Sequence, residues 1–327
     1  MRYILLLIVF FLFFSCQMEE KDNLVKIKYK RFEQALFSIN SENVHEKIKK
    51  IRLDFGTFNE FFEARIMHKG LVNDIDYADN LLMFIQHPDM LEAGDSVAHV
   101  FKDISDIEND LNIAFSNFHY YFPDYDLPEI TTYFGGFNYG VITYDKNIAI
   151  GLEHFLGYKS KFYRLLQNPE YICFQKQRKF ISANVMEVWY NENFYSPREK
   201  DFLSQLIHKG KIMVFIDYML PKKNLSDKFR FSANHMKWAN DNELNIWRYF
   251  IENDLLYSNS EKDFRSFINY APFSKGMSRD SPARIGYFIG YNIVKSYMKY
   301  NNITIDELVE EEDVSKILNK SRYKPKR

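Results

Sequence analysis

A chain of 327 residues with 46% hydrophobic and 17% aromatic content can bury a sizeable core, which excludes a disordered segment. Its 43 Lys and Arg and 44 Asp and Glu residues, net charge -1, are spread through the sequence and leave no continuous basic tract for a phosphate backbone, so nucleic acid is excluded as a partner. With 23 Tyr and 31 Phe against 12 Gly and 9 Pro, the composition predicts long helices, thick aromatic packing and few loops.

The first segment sets the compartment. Met1-Arg2 is a short basic start, Ile4 to Phe14 is a run of eleven apolar residues, and Phe14-Ser15-Cys16 follows. The run is short of the ~20 residues of a membrane-spanning helix and has the layout of a secretory signal. Phe14-Ser15-Cys16 resembles a bacterial lipobox, which predicts a lipoprotein signal peptide over residues 1–16 ending at a lipidated Cys16. Acyl chains then hold the protein at the membrane, each buried CH2 adding ~0.8 kcal/mol. Cys173 is the only other cysteine, so no disulfide framework is expected. Residues 17–28, beginning Gln17-Met18-Glu19-Glu20, read as a solvated tether.

A single domain is expected over residues 29–320. From 29 to 126 the apolar spacing is helical: Phe32, Leu36 and Phe37; Ile75, Ala78, Leu82 and Ile85; and one long helix from Asp95 to Tyr121 with Val100, Ile104, Ile107, Leu111 and Phe115 on its stripe. Between 127 and 157 the texture changes to Ile130-Thr131-Thr132-Tyr133 and Ile148 to Leu152 around an Asp145-Lys146-Asn147 turn, which predicts a small antiparallel β-meander. From 158 to 320 helices return, at Arg178 to Tyr190, Pro197 to Leu220, Asn234 to Tyr257, Ser260 to Tyr270 and Ser281 to Asn301. Residues 321–327 form a basic tail. The expected class is α+β, predominantly α-helical.

The chemistry is suggested by Leu203 to Pro221. His208 stands where the first ligand of an H-E-x-x-H zinc motif would be, but Lys209 replaces the glutamate and Ile212 the second histidine. In a working site the two histidines lie one turn apart on a helix and share the metal, while the glutamate takes a proton from the bound water. Lys209 cannot accept that proton and Ile212 has no lone pair. Glu243, after Trp238, is placed where some zincin metalloproteases supply a third ligand. The order of helical preface, small sheet and His208 helix is also the zincin order, so a degenerate zincin-like metalloprotease fold is expected, with no catalytic residue, no metal and no cofactor.

Other candidates are fewer. Glu153-His154 ends the meander and could serve acid-base work, although a surface or capping role is the simpler reading, since at a strand exit the two side chains point to opposite sides. Tyr120 to Pro123 could stack a sugar, although packing is the simpler role. Ser281-Pro282 reads as a helix start, and Gly286 and Gly290 one turn apart predict a close helix crossing in the core. Arg279 and Arg284 near that start could pair with a carboxylate across the cleft or bind an anion, although a structural role is the simpler reading. No nucleophile elbow, P-loop or dinucleotide fingerprint occurs.

Four blocks together resemble one family. Ala149-Ile150-Gly151-Leu152-Glu153-His154-Phe155-Leu156-Gly157, Leu206 to Ile212 with Asp217 to Pro221, Trp238 with Glu243, Ile246 and Trp247, and Ser278 to Gly290 are similar to the gliding motility lipoprotein GldB family. That family occurs in gliding and related Bacteroidota and is needed for movement over surfaces, a process tied to type 9 secretion. Gln17-x-Glu19-Glu20 is similar to the acidic export signal of some surface lipoproteins in such bacteria. The resemblance implies a protein lipid-anchored at the cell envelope, in the outer membrane, that contacts other gliding and secretion proteins without catalysis. The alternatives are an active zinc hydrolase with an unconventional site and a surface glycan-binding lipoprotein.

Overall fold

The computed structural model describes residues 24–67, 76–194 and 201–325. The signal peptide, Cys16 and the first part of the tether lie outside the described residues, as do Ile75, Pro197 and the last two residues of the basic tail. Eleven helices of eight residues or more occur among the described residues. They are α1 (Val44–Phe55), α2 (Tyr77–Gln86), α3 (Pro88–Val100), α4 (Ser105–Tyr121), α5 (Ile181–Phe194) and α6 (Phe202–Met219), followed by α7 (Ala233–Asp241), α8 (Glu243–Glu252), α9 (Glu261–Ile268), α10 (Ile285–Asn301) and α11 (Val314–Ser321). Four strands, β1 (Tyr29–Arg31), β2 (Ile130–Tyr133), β3 (Val141–Tyr144) and β4 (Asn147–Gly151), form one sheet in the order β1-β2-β4-β3. The α+β, mainly helical class is what the sequence predicts.

The sheet is mixed rather than an antiparallel meander. Only β3 and β4 pair antiparallel, while β1–β2 and β2–β4 are parallel. The hairpin follows from Asp145 and Lys146, both at positive φ (42° and 60°), the type I′ geometry whose twist matches its strands. The additional strand β1 lies in a segment expected to be helical. Its signal was an alternation, Lys26-Ile27-Lys28-Tyr29-Lys30, of the kind an edge strand shows.

Side-chain alternation divides the sheet's two faces between two cores. Ile130, Ile148 and Ile150 join the large core with α4, α5, α6 and α10, whereas Tyr133, Tyr144 and Ala149 join a smaller core with Phe32, Phe58, Phe62 and Leu81. The segment expected as one helix from Asp95 to Tyr121 is two, broken at Phe101–Ile104, where Phe101 and Ile104 themselves are buried in the core. The segment Asn234 to Tyr257 is likewise divided, with Asn242 closing α7 and preceding α8.

Helix α6 is buried around most of its circumference and is therefore central, although it carries His208, Lys209, Lys211 and Asp217. Asp201 caps it, accepting from the Ser204 backbone N–H at 2.8 Å. It packs most extensively on α10, and the expected glycine crossing is there. A Cβ on Gly290 would lie 2.0 Å from the Leu206 carbonyl oxygen, and one on Gly210 2.3 Å from the Gly290 backbone. Helix α10 begins at Ile285, not at Ser281. Ser281 is instead buried in the preceding loop, where its Oγ accepts from the Ser274 N–H at 3.1 Å and Ser274 Oγ donates to the Pro282 carbonyl at 2.7 Å.

No helix among the described residues is long and apolar enough to cross a membrane.

Candidate functional site

The four positions of the eroded zinc motif are held by four different surroundings. His208 is buried on the face of α6 that meets α5. Its Nε2 lies 3.2 Å from Asn191 Oδ1, and its ring meets Tyr190 edge-on at 5.8 Å. Lys209 turns the other way, with its ammonium 5.8 Å from the ring centre of Tyr287 on α10. Ile212 is wholly inside the large core. Glu243, in the first turn of α8, accepts from the Tyr323 hydroxyl at 2.8 Å, an acid at a helix N-terminus engaged by the end of the chain. Among the described residues, no group of three or more His, Cys, Asp or Glu side chains converges to hold a metal ion.

What occupies the turn beside His208 and Lys209 is an ionic network that the sequence reading did not anticipate. Glu187 on α5 is its centre. Its Oε2 pairs with Arg230 Nη2 and lies 3.6 Å from Arg284 Nη2, and its Oε1 accepts from the Tyr287 hydroxyl at 2.9 Å. Arg230 also donates from Nη1 to Asn184 Oδ1 at 2.9 Å. The Arg284 guanidinium stacks between Tyr287 and Tyr270, 3.9 Å and 4.7 Å from their ring centres, and donates to the Tyr270 hydroxyl at 3.2 Å. Both arginines are buried, and both have left-handed backbones, φ 58° and 61°. Burial alone would push the Glu187 carboxyl up. The charges of Arg230, Arg284 and Lys209 override it and hold the group well below the usual carboxylate range.

Arg284 therefore does meet a carboxylate, as the sequence suggests, but as an interior partner. Arg279 does not join it. It lies exposed, with no ion pair among the described residues. The signals for the missed members were faint: a single carboxylate inside the apolar run Val185-Met186-Glu187-Val188-Trp189, and an arginine between Phe229 and Phe231.

Glu153 and His154 are on a 3-10 turn, Leu152–Phe155, at the end of β4. Glu153 is wholly buried and clasps the Gly135–Phe137 loop, its Oε1 accepting from the Gly135 N–H at 2.7 Å and the Phe137 N–H at 3.1 Å. That loop needs a clasp, because Gly136 and Phe137 both have positive φ, 66° and 68°. Burial pushes Glu153 up to about 7, the two backbone donors and Lys176 offsetting only part of the shift. His154 accepts at Nδ1 from Lys176 Nζ at 2.9 Å, and burial, reinforced by the Lys176 charge, takes it down to about 3. Glu153 Oε2 and His154 Nε2 have no hydrogen-bond partner among the described residues. The pair is thus an interior brace at a loop. In the Tyr120 to Pro123 stretch, Phe122 is core and Tyr121 packs on Tyr218 at 5.4 Å, leaving Tyr120 exposed.

The raised Glu153 value has a sign that can be measured. In the unfolded chain the carboxyl ionises near 4.5 and in the folded one near 7, so its contribution favours folding most below pH 4.5 and declines as pH rises to 7. Glu153→Gln keeps an oxygen for the two N–H donors and never ionises. Its stability relative to the unsubstituted protein, read from urea midpoints, is expected to be about 2 kcal/mol more favourable at pH 8 than at pH 5. An equal difference at both values would mean that Glu153 stays ionised in the fold.

A family model described as gliding motility protein GldB matches residues 16–325. No curated protein and no solved structure matches the chain.

Proposed function

The chain belongs to the gliding motility protein GldB family, and on that premise we propose that it acts as a lipid-anchored envelope protein through contacts with other gliding and secretion components, without catalysis. Cys16, the first residue the family match covers, is the acylated position in this reading, and the outer membrane is the site of the anchor. The observation that carries the non-catalytic part is the separate engagement of the old motif. His208 serves Asn191 and Tyr190, Lys209 serves Tyr287 and Glu187, Ile212 serves the core, and Glu243 serves Tyr323. A hydrolytic zinc site needs several ligands at ~2 Å from one ion and a base on its water. Here the cation at position 209 helps to neutralise a protein carboxylate instead. The order of helical preface, sheet and His208 helix supports reading the fold as a degenerate zincin-like one.

The test uses cells. Deleting the protein is expected to abolish spreading on agar, and a chain carrying His208→Gln, which keeps a hydrogen-bonding side chain beside Asn191, is expected to restore it fully. Stoichiometric zinc that survives dialysis, together with a peptidase activity lost in His208→Gln, would overturn the non-catalytic reading.

A further inference from the structure

The near-neutral total conceals an uneven distribution. Residues 24–55 carry eight Lys and Arg against four Asp and Glu, a local balance of +4 in a chain of net charge -1. Folding brings part of this excess together. Lys30 and Arg31 of β1 line the same cleft, about 440 Å3, as Lys47 and Lys50 of α1, and Asp54 is the only acidic side chain among its lining residues. Lys30 is neutralised by Glu129 at 2.8 Å and Arg31 by Glu33 at 2.6 Å. Lys47, Lys49 and Lys50 have no ion pair among the described residues. Leu53 stands one turn beyond Lys49 and Lys50 on the same side of α1, and 85% of it is exposed. Glu46 lies on that side too, and is outnumbered by the lysines. A bare leucine bordered by unpaired lysines is the pairing that an interfacial membrane site uses, with the apolar side chain entering the headgroup boundary and the ammonium groups meeting phosphates.

The chain's own geometry selects the occupant. Eight residue steps separate Cys16 from Leu24, a reach of at most ~28 Å. From Leu24 the backbone runs along α4, with the Val25 N–H on Ser116 Oγ at 2.8 Å and the Ile27 N–H on Asn112 Oδ1 at 3.0 Å, and arrives at Lys30 after a further ~20 Å of extended chain. The tether is therefore long enough for this face to lie on the leaflet that holds the anchor.

We propose that the Lys47, Lys50 and Leu53 face of α1 docks on an anionic phospholipid surface and orients the domain against the membrane that Cys16 enters. The proposal rests on the lipid-anchor reading for its geometry, so the two are tested apart. The mature chain from Gln17 onward lacks the acylated residue and keeps every residue of the described fold. It is expected to float with vesicles of phosphatidylcholine and phosphatidylglycerol and not with phosphatidylcholine alone. Lys47→Gln with Lys50→Gln should lower that partitioning roughly thirtyfold, at ~1 kcal/mol per basic residue. Leu53→Ser should lower it about tenfold, and Lys159→Gln with Lys262→Gln, on other elements, should leave it unchanged.

Equal flotation with both vesicle types, or indifference to the Lys47 and Lys50 changes, would overturn the proposal. So would displacement of the protein by millimolar inorganic phosphate at constant ionic strength, because the site would then read free phosphate rather than a bilayer. Mass analysis of the native N-terminus decides the anchor independently: an unmodified Cys16 with intact vesicle binding removes the anchor and keeps the face, and an acylated Cys16 without a vesicle response does the reverse.

Discussion

Gly290→Ala is expected to yield no folded protein. The added Cβ would stand 2.0 Å from the Leu206 carbonyl oxygen, a backbone atom in the second turn of α6, and a backbone atom cannot move aside as a flexible side chain can. Relief would require α6 and α10 to separate, and these two helices form the centre of the large core, with Leu206, Ile207, Ile289 and Ile293 all within it. Overpacking that side chains can absorb costs ~1–3 kcal/mol. A clash of backbone on backbone exceeds that range and takes a large share of the ~5–15 kcal/mol that holds a domain together. Gly210→Ala, with its Cβ 2.3 Å from the Gly290 backbone, is expected to behave alike. Gly140→Ala is the control, since its Cβ meets the His154 side chain at 3.6 Å, an ordinary contact. Soluble yield and far-ultraviolet circular dichroism on the three variants decide the matter. A folded Gly290→Ala protein with a normal melting temperature would mean that the helices do not cross at these glycines.

That crossing was legible because it is written locally. Gly286 and Gly290 one turn apart mark a close-packing face in their spacing, of which Gly290 meets α6 and Gly286 the Phe267 carbonyl of α9, and the Asp145-Lys146 turn is as local. The break between α3 and α4 was not legible. Val100, Ile104, Ile107 and Leu111 continue a helical period straight through it, and only burial of Phe101 and Ile104 against distant elements decides that the chain bends. The start of α10 failed for a related reason. Ser281-Pro282 has the local chemistry of a helix cap, but the Ser281 hydroxyl is taken by Ser274, seven residues back. The site itself was half visible. His208, Lys209 and Ile212 read from their identities alone as the remains of a zinc motif. Their replacement partners are 17 residues away for Asn191 and His208, 43 for Glu187 and Arg230, and 100 for Glu187 and Tyr287, and no periodicity reports contacts of that separation.

Glu187→Ala is expected to destabilise the protein by ~3–5 kcal/mol, because it leaves Arg230 and Arg284 buried without their counter-charge. The loss should depend on pH in a defined direction. The carboxyl is held below its ordinary range in the fold, so the stability it contributes is complete above the unfolded value near 4.5 and fades as pH falls towards the folded one. The gap between the unsubstituted protein and the variant should therefore narrow in acid denaturation series below pH 4, and a gap that stayed constant would show that Glu187 acts by volume alone. Glu187→Met combined with Arg230→Met and Arg284→Met tests what the charges are for, since it leaves no buried charge of the trio unpaired. An apolar set of similar size commonly recovers most of the stability that a broken ion pair loses. If the triple variant melts near the unsubstituted protein, stability cannot be the reason the network is ionic. The remaining reason is geometric: one carboxylate fixes α5, the Arg230 turn and the start of α10 at set angles beside His208 and Lys209, which an apolar contact would let slide. In that case the triple variant should fold and still fail to restore spreading on agar, and a folded variant that spreads normally would remove any functional role for the network.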